Sequence, residues 1–210
     1  MPAFGGKADI TTVLIHVCFY CLRLTQQSRQ PHCNRAVIRR MILPYHRRGS
    51  DSMSLTVRRV VTGHDESGRA IVSIDEISKN VAQTRPGAHA TVIWTSEGFP
   101  VDNDGSADTS GRKVGSTIDN GTVFRVVSFG PGVTPRHHRT DSIDYGTVIS
   151  GEIDMELEGT SVHLKAGDVL VQRGTIHSWV NTGTTPCVIA FAQIGAKPVT
   201  AGGKVLKAGG

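Results

Sequence analysis

The tightest alternation in the chain is "EIDMELEG", Glu152 to Gly159. Ile153, Met155 and Leu157 fall on one parity there, and Glu152, Asp154, Glu156 and Glu158 on the other. Successive side chains of a strand point to opposite faces, so this segment predicts a strand with one dry and one wet side. Short β-rich runs surround it: "TVFRVVSFGPG", "DYGTVISG", "SVHLKAG", "DVLVQRG", "IHSWVNTG" and "PCVIAFAQ". Each is closed by a glycine-containing turn or a break, and none carries a helical period. Seven such strands from Thr122 onward predict an all-β domain, a double-sheet jelly roll or small barrel joined by antiparallel hairpins.

Upstream, "TVRRVVT" and "RAIVSID" flank the turn-like "GHDESG", and "HATVIWTS" follows the Pro86-Gly87 break. The stretch Gly98 to Gly121 is polar, glycine-rich and aperiodic. It predicts a long loop of the kind that is mobile or functional, such as a lid over a site. The closing "AKPVTAGGKVLKAGG" is rich in small residues and predicts a loose tail.

At 210 residues the chain has room for one well-buried domain and an appendage. The formal charge of +5 suggests nucleic acid until it is mapped. Residues 1–52 hold 8 of the 23 Lys and Arg against 2 of the 18 acidic residues, which leaves 15 against 16 from Met53 onward. The near-neutral remainder has no basic stripe and no aromatic stacking run, which sets nucleic acid aside. Cysteine divides at the same place, with Cys18, Cys21 and Cys33 before Met53 and Cys187 alone after it. A lone cysteine in an apolar run reads as a buried thiol of a reducing compartment, and the expected location is cytoplasmic.

The first 52 residues read as an N-terminal extension, disordered or outside the fold, with the domain running from Met53 to Gly210. The apolar run Ile10 to Leu24 is shorter than the roughly 20 residues that span a bilayer, so no membrane partner is expected. No signal-peptide cleavage site follows it, and the arginine-rich, acid-poor composition is weakly compatible with a mitochondrial presequence. Cys18-x-x-Cys21 with His32 and Cys33 can be drawn as a zinc site, but the spacing is loose and no finger scaffold surrounds it.

Two segments carry candidate chemistry. Gly132, His138, Asp144 and Gly151 in the first, and Gly167, Gly174, His177 and Asn181 in "GDVLVQRGTIHSWVN", resemble the two conserved motifs of the cupin superfamily. Thr140 stands where the first motif has its second histidine, Asp144 where it has glutamate, and Gln172 where the second motif has proline. The resemblance covers residues 122–193 strongly, and it implies a double-stranded β-helix, the jelly-roll cupin barrel. The string "HRTDSIDY" further resembles small single-domain cupins of bacteria and fungi. Their fungal members include cupin-domain oxidoreductases of polyketide pathways in secondary metabolite biosynthesis.

Strand parity sends His138 and Thr140 to one side, and Asp144 shares that parity if no bulge intervenes. His177 meets them if the motifs pair as the resemblance implies. Two imidazoles and a carboxylate hold a divalent metal with open positions, Fe(II) first and Mn(II), Ni(II) or Zn(II) as alternatives. The same residues also serve without metal, with a histidine as general base and Asp144 fixing its tautomer, or simply hydrogen-bond strand ends around an empty barrel. The expected activity is metal-dependent oxidation of an aromatic or polyketide-derived small molecule. His138, Asp144 and His177 would be catalytic and metal-binding, with Arg136, Arg139, Thr140, Gln172 and Trp179 near the substrate. A metal-free dehydratase or isomerase and a non-catalytic binding protein are the alternatives. Trp179 and Phe191 are expected inside the barrel, His64, His89 and His163 at the surface. A homodimer is expected from the resemblance, with "VVSF" and "VIAFAQ" as surface or core.

Overall fold

β-Branched and aromatic residues in short runs separated by glycine turns leave the backbone few options besides paired strands. The computed structural model describes residues 55–210, and its order is β1 (Arg58–His64), β2 (Ala70–Ile77), β3 (Ala82–Arg85), β4 (Ala88–Glu97), β5 (Gly121–Phe129), β6 (Ser142–Ser150) and β7 (Glu152–Leu157). Then come β8 (Thr160–Lys165), β9 (Val169–Arg173), β10 (Ser178–Val180), β11 (Cys187–Gly195), β12 (Val199–Ala201) and β13 (Lys204–Leu206). A six-stranded sheet runs β3-β4-β5-β11-β6-β9, and a three-stranded one runs β10-β7-β8. This is the jelly-roll barrel that the sequence predicts. Each of the seven strands expected after Thr122 is present. The N-terminal extension, its cysteines, its presequence-like composition and the start at Met53 lie outside the described residues. Among the described residues no helix is long and apolar enough to cross a membrane.

The interior is layered by strand register. Gln172, Asp144, Gln193, Val123 and Thr95 form one cross-strand row, and Leu170, Gly146, Phe191 and Arg125 form the next. Below these lie Val148, Ile189 and Val127, closed by Ile153, Met155 and Trp179 from the smaller sheet. The predicted dry face of "EIDMELEG" is therefore real, with Ile153 and Met155 almost completely buried. Gly146 is a packing requirement, because a Cβ there would come within 3.2 Å of the Phe191 ring. Gly151 has φ +73° at the β6–β7 turn and lies too close to the Pro186 carbonyl for any side chain.

Four expectations change or sharpen. The short edge strand β3 was not anticipated, since "AQTR" lacks β-branched residues apart from one threonine. The tail is not loose: β12 and β13 pair, and Gly209 bridges Arg139 in both directions at 2.8 and 3.1 Å. Backbone pairing holds a segment whose small side chains gave no sign of it. "VVSF" is buried throughout, and "VIAFAQ" alternates between buried and half-buried positions. Both are core, and the exposed apolar strip is instead Tyr145, Ile149, Val169 and Val171 on β6 and the edge strand β9. The long loop is real and carries no strand, but Arg59 pins it by bonding Asp108.

Candidate functional site

The site is built where two returns of the chain meet. His138 and His177 form an isolated antiparallel bridge, each N–H donating to the other's carbonyl at 3.0 Å. Their rings follow, with centroids 4.3 Å apart. The Nδ1 of His138 lies 3.1 Å from the Arg136 carbonyl, and the Nδ1 of His177 lies 3.1 Å from the Thr175 carbonyl. A carbonyl only accepts, so both Nδ1 atoms carry the proton and both Nε2 atoms present a lone pair. Gln172 Nε2 lies closer to Nδ1 of the His177 ring than to its Nε2, 3.1 Å away, and Gln172 Oε1 is buried without a partner, so the amide turned over accepts from Nδ1 and leaves the Nε2 lone pair of His177 free. His138 keeps its own.

Burial pushes His177 down to about 4, with further help from the charge of His138. Burial also lowers His138, opposed by its bond to the Arg136 carbonyl and reinforced by the charges of Arg136 and Arg85. Both are therefore neutral imidazoles at neutral pH. Asp144 is 4% exposed, and burial raises its pKa against the pull of Ser142, Gln193 and Arg125. Its two oxygens accept from Ser142 Oγ at 2.5 Å and Gln193 Nε2 at 3.1 Å.

These groups line a cavity of about 100 Å³. Phe129, Trp179 and Phe191 give it an aromatic floor, with Trp179 stacked on Phe129 at 5.6 Å and edge-on to Phe191 at 5.7 Å. The cavity is smaller than the roughly 150 Å³ dry cavity that encloses benzene, but it opens at its mouth, so it takes part of a single planar ring and leaves the rest in the opening. Arg85, Arg125 and Arg136 line it as well, and Asp144 is the sole carboxylate in the lining.

Of the expected site residues, His138, Asp144, His177, Arg136, Gln172 and Trp179 line the cavity, and Thr140 and Arg139 do not. Thr140 is buried with its hydroxyl 2.8 Å from Ser142 Oγ, whose single proton goes to Asp144. It supports the carboxylate from behind. Arg139 bonds the Gly174 carbonyl at 2.9 Å and joins the C-terminal segment. His163 is exposed and bonds Asp154 at 2.9 Å, away from the cavity. Sequence reasoning missed Arg85, Arg125, Gln193 and Ser116. Two of these had a readable signal: Arg125 interrupts the inward parity Val123, Val127, Phe129, and Gln193 continues the parity of Ile189 and Phe191. Ser116 comes from the long loop, which fits the expectation of a functional segment.

A divalent metal fits this arrangement poorly. Among the described residues no three His, Cys, Asp or Glu side chains are placed to hold an ion. The Gln172 amide packs against the His177 ring, Asp144 is doubly bonded, and three guanidinium groups make the lining cationic. Aspartate is one methylene shorter than the glutamate of the family motif, and Thr140 supplies no imidazole.

The cupin domain family matches residues 125–192. The phomopsin biosynthesis cluster protein C' of Diaporthe leptostromiformis is 36% identical over 72% of this chain and 85% of its own length. The cupin-domain-containing oxidoreductase fogC of Aspergillus ruber is 33% identical over 72% and 78%. The corresponding protein virC of Hypocrea virens is 34% identical over 69% and 78%. Among solved structures, KdgF from Halomonas sp. aligns with 55% of this chain and 86% of that chain at 21% identity and a TM-score of 0.37. Relatives this similar over most of their own length, together with both motifs on paired segments of one barrel, make this chain a member of the cupin-domain family.

Proposed function

We propose that this chain is an oxidoreductase of secondary metabolism that acts on an aromatic or polyketide-derived small molecule, with His138 as the base that opens the reaction. The names of the relatives support the oxidoreductase class. The observation that carries the residue assignment is the His138 lone pair beside a cavity with an aromatic floor. His177, kept neutral by burial, fixes the position of His138 through their shared bridge.

The step suited to these groups is an intramolecular redox exchange in an aryl α-hydroxy carbonyl compound. His138 Nε2 takes the proton from the hydroxyl-bearing carbon. The C–H electron pair forms the enediolate double bond as the carbonyl π electrons move to oxygen. Passing the hydroxyl proton to the former carbonyl oxygen and returning the abstracted proton to the former carbonyl carbon leaves that carbon reduced and its neighbour oxidised, with no external oxidant. The test is deuterium wash-in from D₂O to 2-hydroxyacetophenone, followed by NMR. Exchange that persists with chelator and disappears in His138→Ala supports the assignment, and equal exchange in both proteins overturns it.

A divalent metal, Fe(II) before Mn(II), Ni(II) or Zn(II), is the second reading, favoured by the ring-to-ring approach of the two histidines. It requires Gln172 to make room at the His177 ring and Asp144 to leave Gln193. Near-stoichiometric metal in the purified protein, lost in the His138→Ala, His177→Ala double variant, selects it. A homodimer is also part of the proposal, formed through the exposed strip Tyr145, Ile149, Val169 and Val171, where β9 leaves a free sheet edge. Light scattering of Val169→Lys against the parent tests it, and an unchanged mass rejects that face.

A further inference from the structure

The charges around the cavity do not balance. Among the described residues, Arg58, Arg59, Arg69 and Arg112 each meet a side-chain carboxylate within salt-bridge distance, and Arg85, Arg125, Arg136, Arg139 and Arg173 meet none. Of these five, Arg85, Arg125 and Arg136 line the cavity. Arg125 has partial compensation, since it and Asp144 act on one another through space. Arg85 has no such acid. Arg85 donates to the Thr134 carbonyl at 3.0 Å, Arg136 donates to an oxygen of Gly210, the last residue of this sequence, at 3.0 Å, and the repulsion of Arg136 reaches Arg85. The neutral Thr134 carbonyl satisfies a donor without cancelling the Arg85 charge.

Donor capacity is also left over. Arg85 Nη2 and Arg125 Nε are buried without a hydrogen-bond partner. An unpartnered guanidinium nitrogen away from water is costly, so a cavity that holds two is arranged for a group from outside that accepts from them. Arg85 lies over the Phe129 ring, with its central carbon 5.6 Å from the ring centroid, which fixes the planar fork against the aromatic floor. The forked donors of arginine match the two oxygens of a delocalised oxyanion.

We infer that Arg85 and Arg136 form an oxyanion subsite at the mouth of the cavity, and that the ligand is a planar aromatic ring carrying a carboxylate or a ring oxyanion. The ring lies on Phe129, Trp179 and Phe191, and the oxyanion accepts from Arg85 and Arg136 on the side of His138 and His177, on both of which these two cations act. The cavity then selects anionic rings over neutral ones of the same shape. The inference shares with the proposed function only the choice of this cavity as the substrate site, and it is read by binding rather than by turnover.

The test is calorimetric titration of the full chain with benzoate, with 4-nitrophenolate at alkaline pH, and with benzamide as the neutral match. The expected result is binding of at least one anion about tenfold or more tighter than benzamide, weakened by added salt. Whichever anion binds tighter identifies the source of the oxyanion. Arg85→Gln and Arg136→Gln are each expected to weaken that binding about tenfold, and Arg112→Gln to leave it unchanged. Arg136 is exposed, so its variant tests the subsite even if Arg85→Gln does not fold. Anions that bind no better than benzamide, or that bind both arginine variants as they bind the parent, overturn the inference. Benzoate binding that survives in His138→Ala while deuterium exchange is absent from every protein rejects the proposed base and leaves the subsite standing.

Discussion

Arg59 is buried and Arg85 half-buried beside the same six-stranded sheet, and their surroundings are opposite. The Arg59 side chain is 3% exposed and lies between Glu76, at 2.7 Å, and Asp108. Its charge is cancelled within the fold, and the product is mechanical: β1, β2 and the long loop are tied together. Arg85 has a carbonyl, an aromatic face and a nitrogen with no partner. Among the described residues, the guanidinium nitrogens buried without a partner are those of Arg85 and Arg125, both at the cavity. Such a donor, rather than the lack of a carboxylate, marks the place where something is to be bound, since Arg139 also meets no carboxylate and ties down the C-terminal segment.

Removing the base gives the largest expected effect. His138→Ala should reduce deuterium exchange by about 10²- to 10⁴-fold, the usual contribution of a positioned general base, with a thermal midpoint close to the parent's. A variant at Arg59 should leave the exchange rate of the folded protein unchanged. If both variants lose exchange equally, the division between architecture and site is wrong.

The next contrast is in acid. The folded His177 titrates near 4 against 6.5 for an unperturbed histidine, so the unfolded state binds the extra proton between those values. Stability is complete above about pH 6.5, falls as pH drops toward 4, and levels off below, by roughly 3 kcal/mol in all. The lowered His138 acts in the same direction. The Arg59 network has a lower window. Asp108 is held below its ordinary 3.8 by Arg59, so its contribution is intact above that value and is lost as pH falls further. Urea midpoints between pH 7 and 4.5 should therefore fall in the parent and much less in His177→Gln, and parallel curves would break the assignment.

Arg59→Met comes third. Breaking a buried ion pair costs about 3–5 kcal/mol, but Glu76 and Asp108 are 29% and 39% exposed and can rehydrate, which brings the expected loss to about 2 kcal/mol. The urea midpoint measures it. Benzoate binding should not change.

The barrel was legible because its information is local. Alternation in "EIDMELEG", glycine turns every eight residues or so, and two motifs in the right order all lie within short windows of the chain. The site was legible in part. His138, Asp144 and His177 came from motif spacing, with strand parity in support. What the sequence could not show was competition for the same atoms. Gln172 and Gln193 stand beside Asp144 only through the β9-β6-β11 register, and they crowd the His177 ring and engage the carboxylate that the metal expectation required. Arg85 was illegible for a similar reason, since β3 reaches the cavity by pairing with β4 and its own side chains do not reveal that. The tail was misread because backbone bonds at Gly209 leave no mark in side-chain pattern.

The smallest effect belongs to Arg112, which separates pairing from burial. It meets Glu97 at 2.6 Å, yet both side chains are about half exposed, at 43% and 56%. If a carboxylate partner alone made an arginine architectural, Arg112→Gln would behave like Arg59→Met. Water screens this pair and rehydrates either member, so the variant should shift stability by no more than about 0.5 kcal/mol and leave ring binding untouched. A loss near 2 kcal/mol would mean that the contact with Arg112 anchors the long loop as firmly as Asp108 does. The contrast would then rest on tying the loop down, and the charge of Arg59 would be incidental to it.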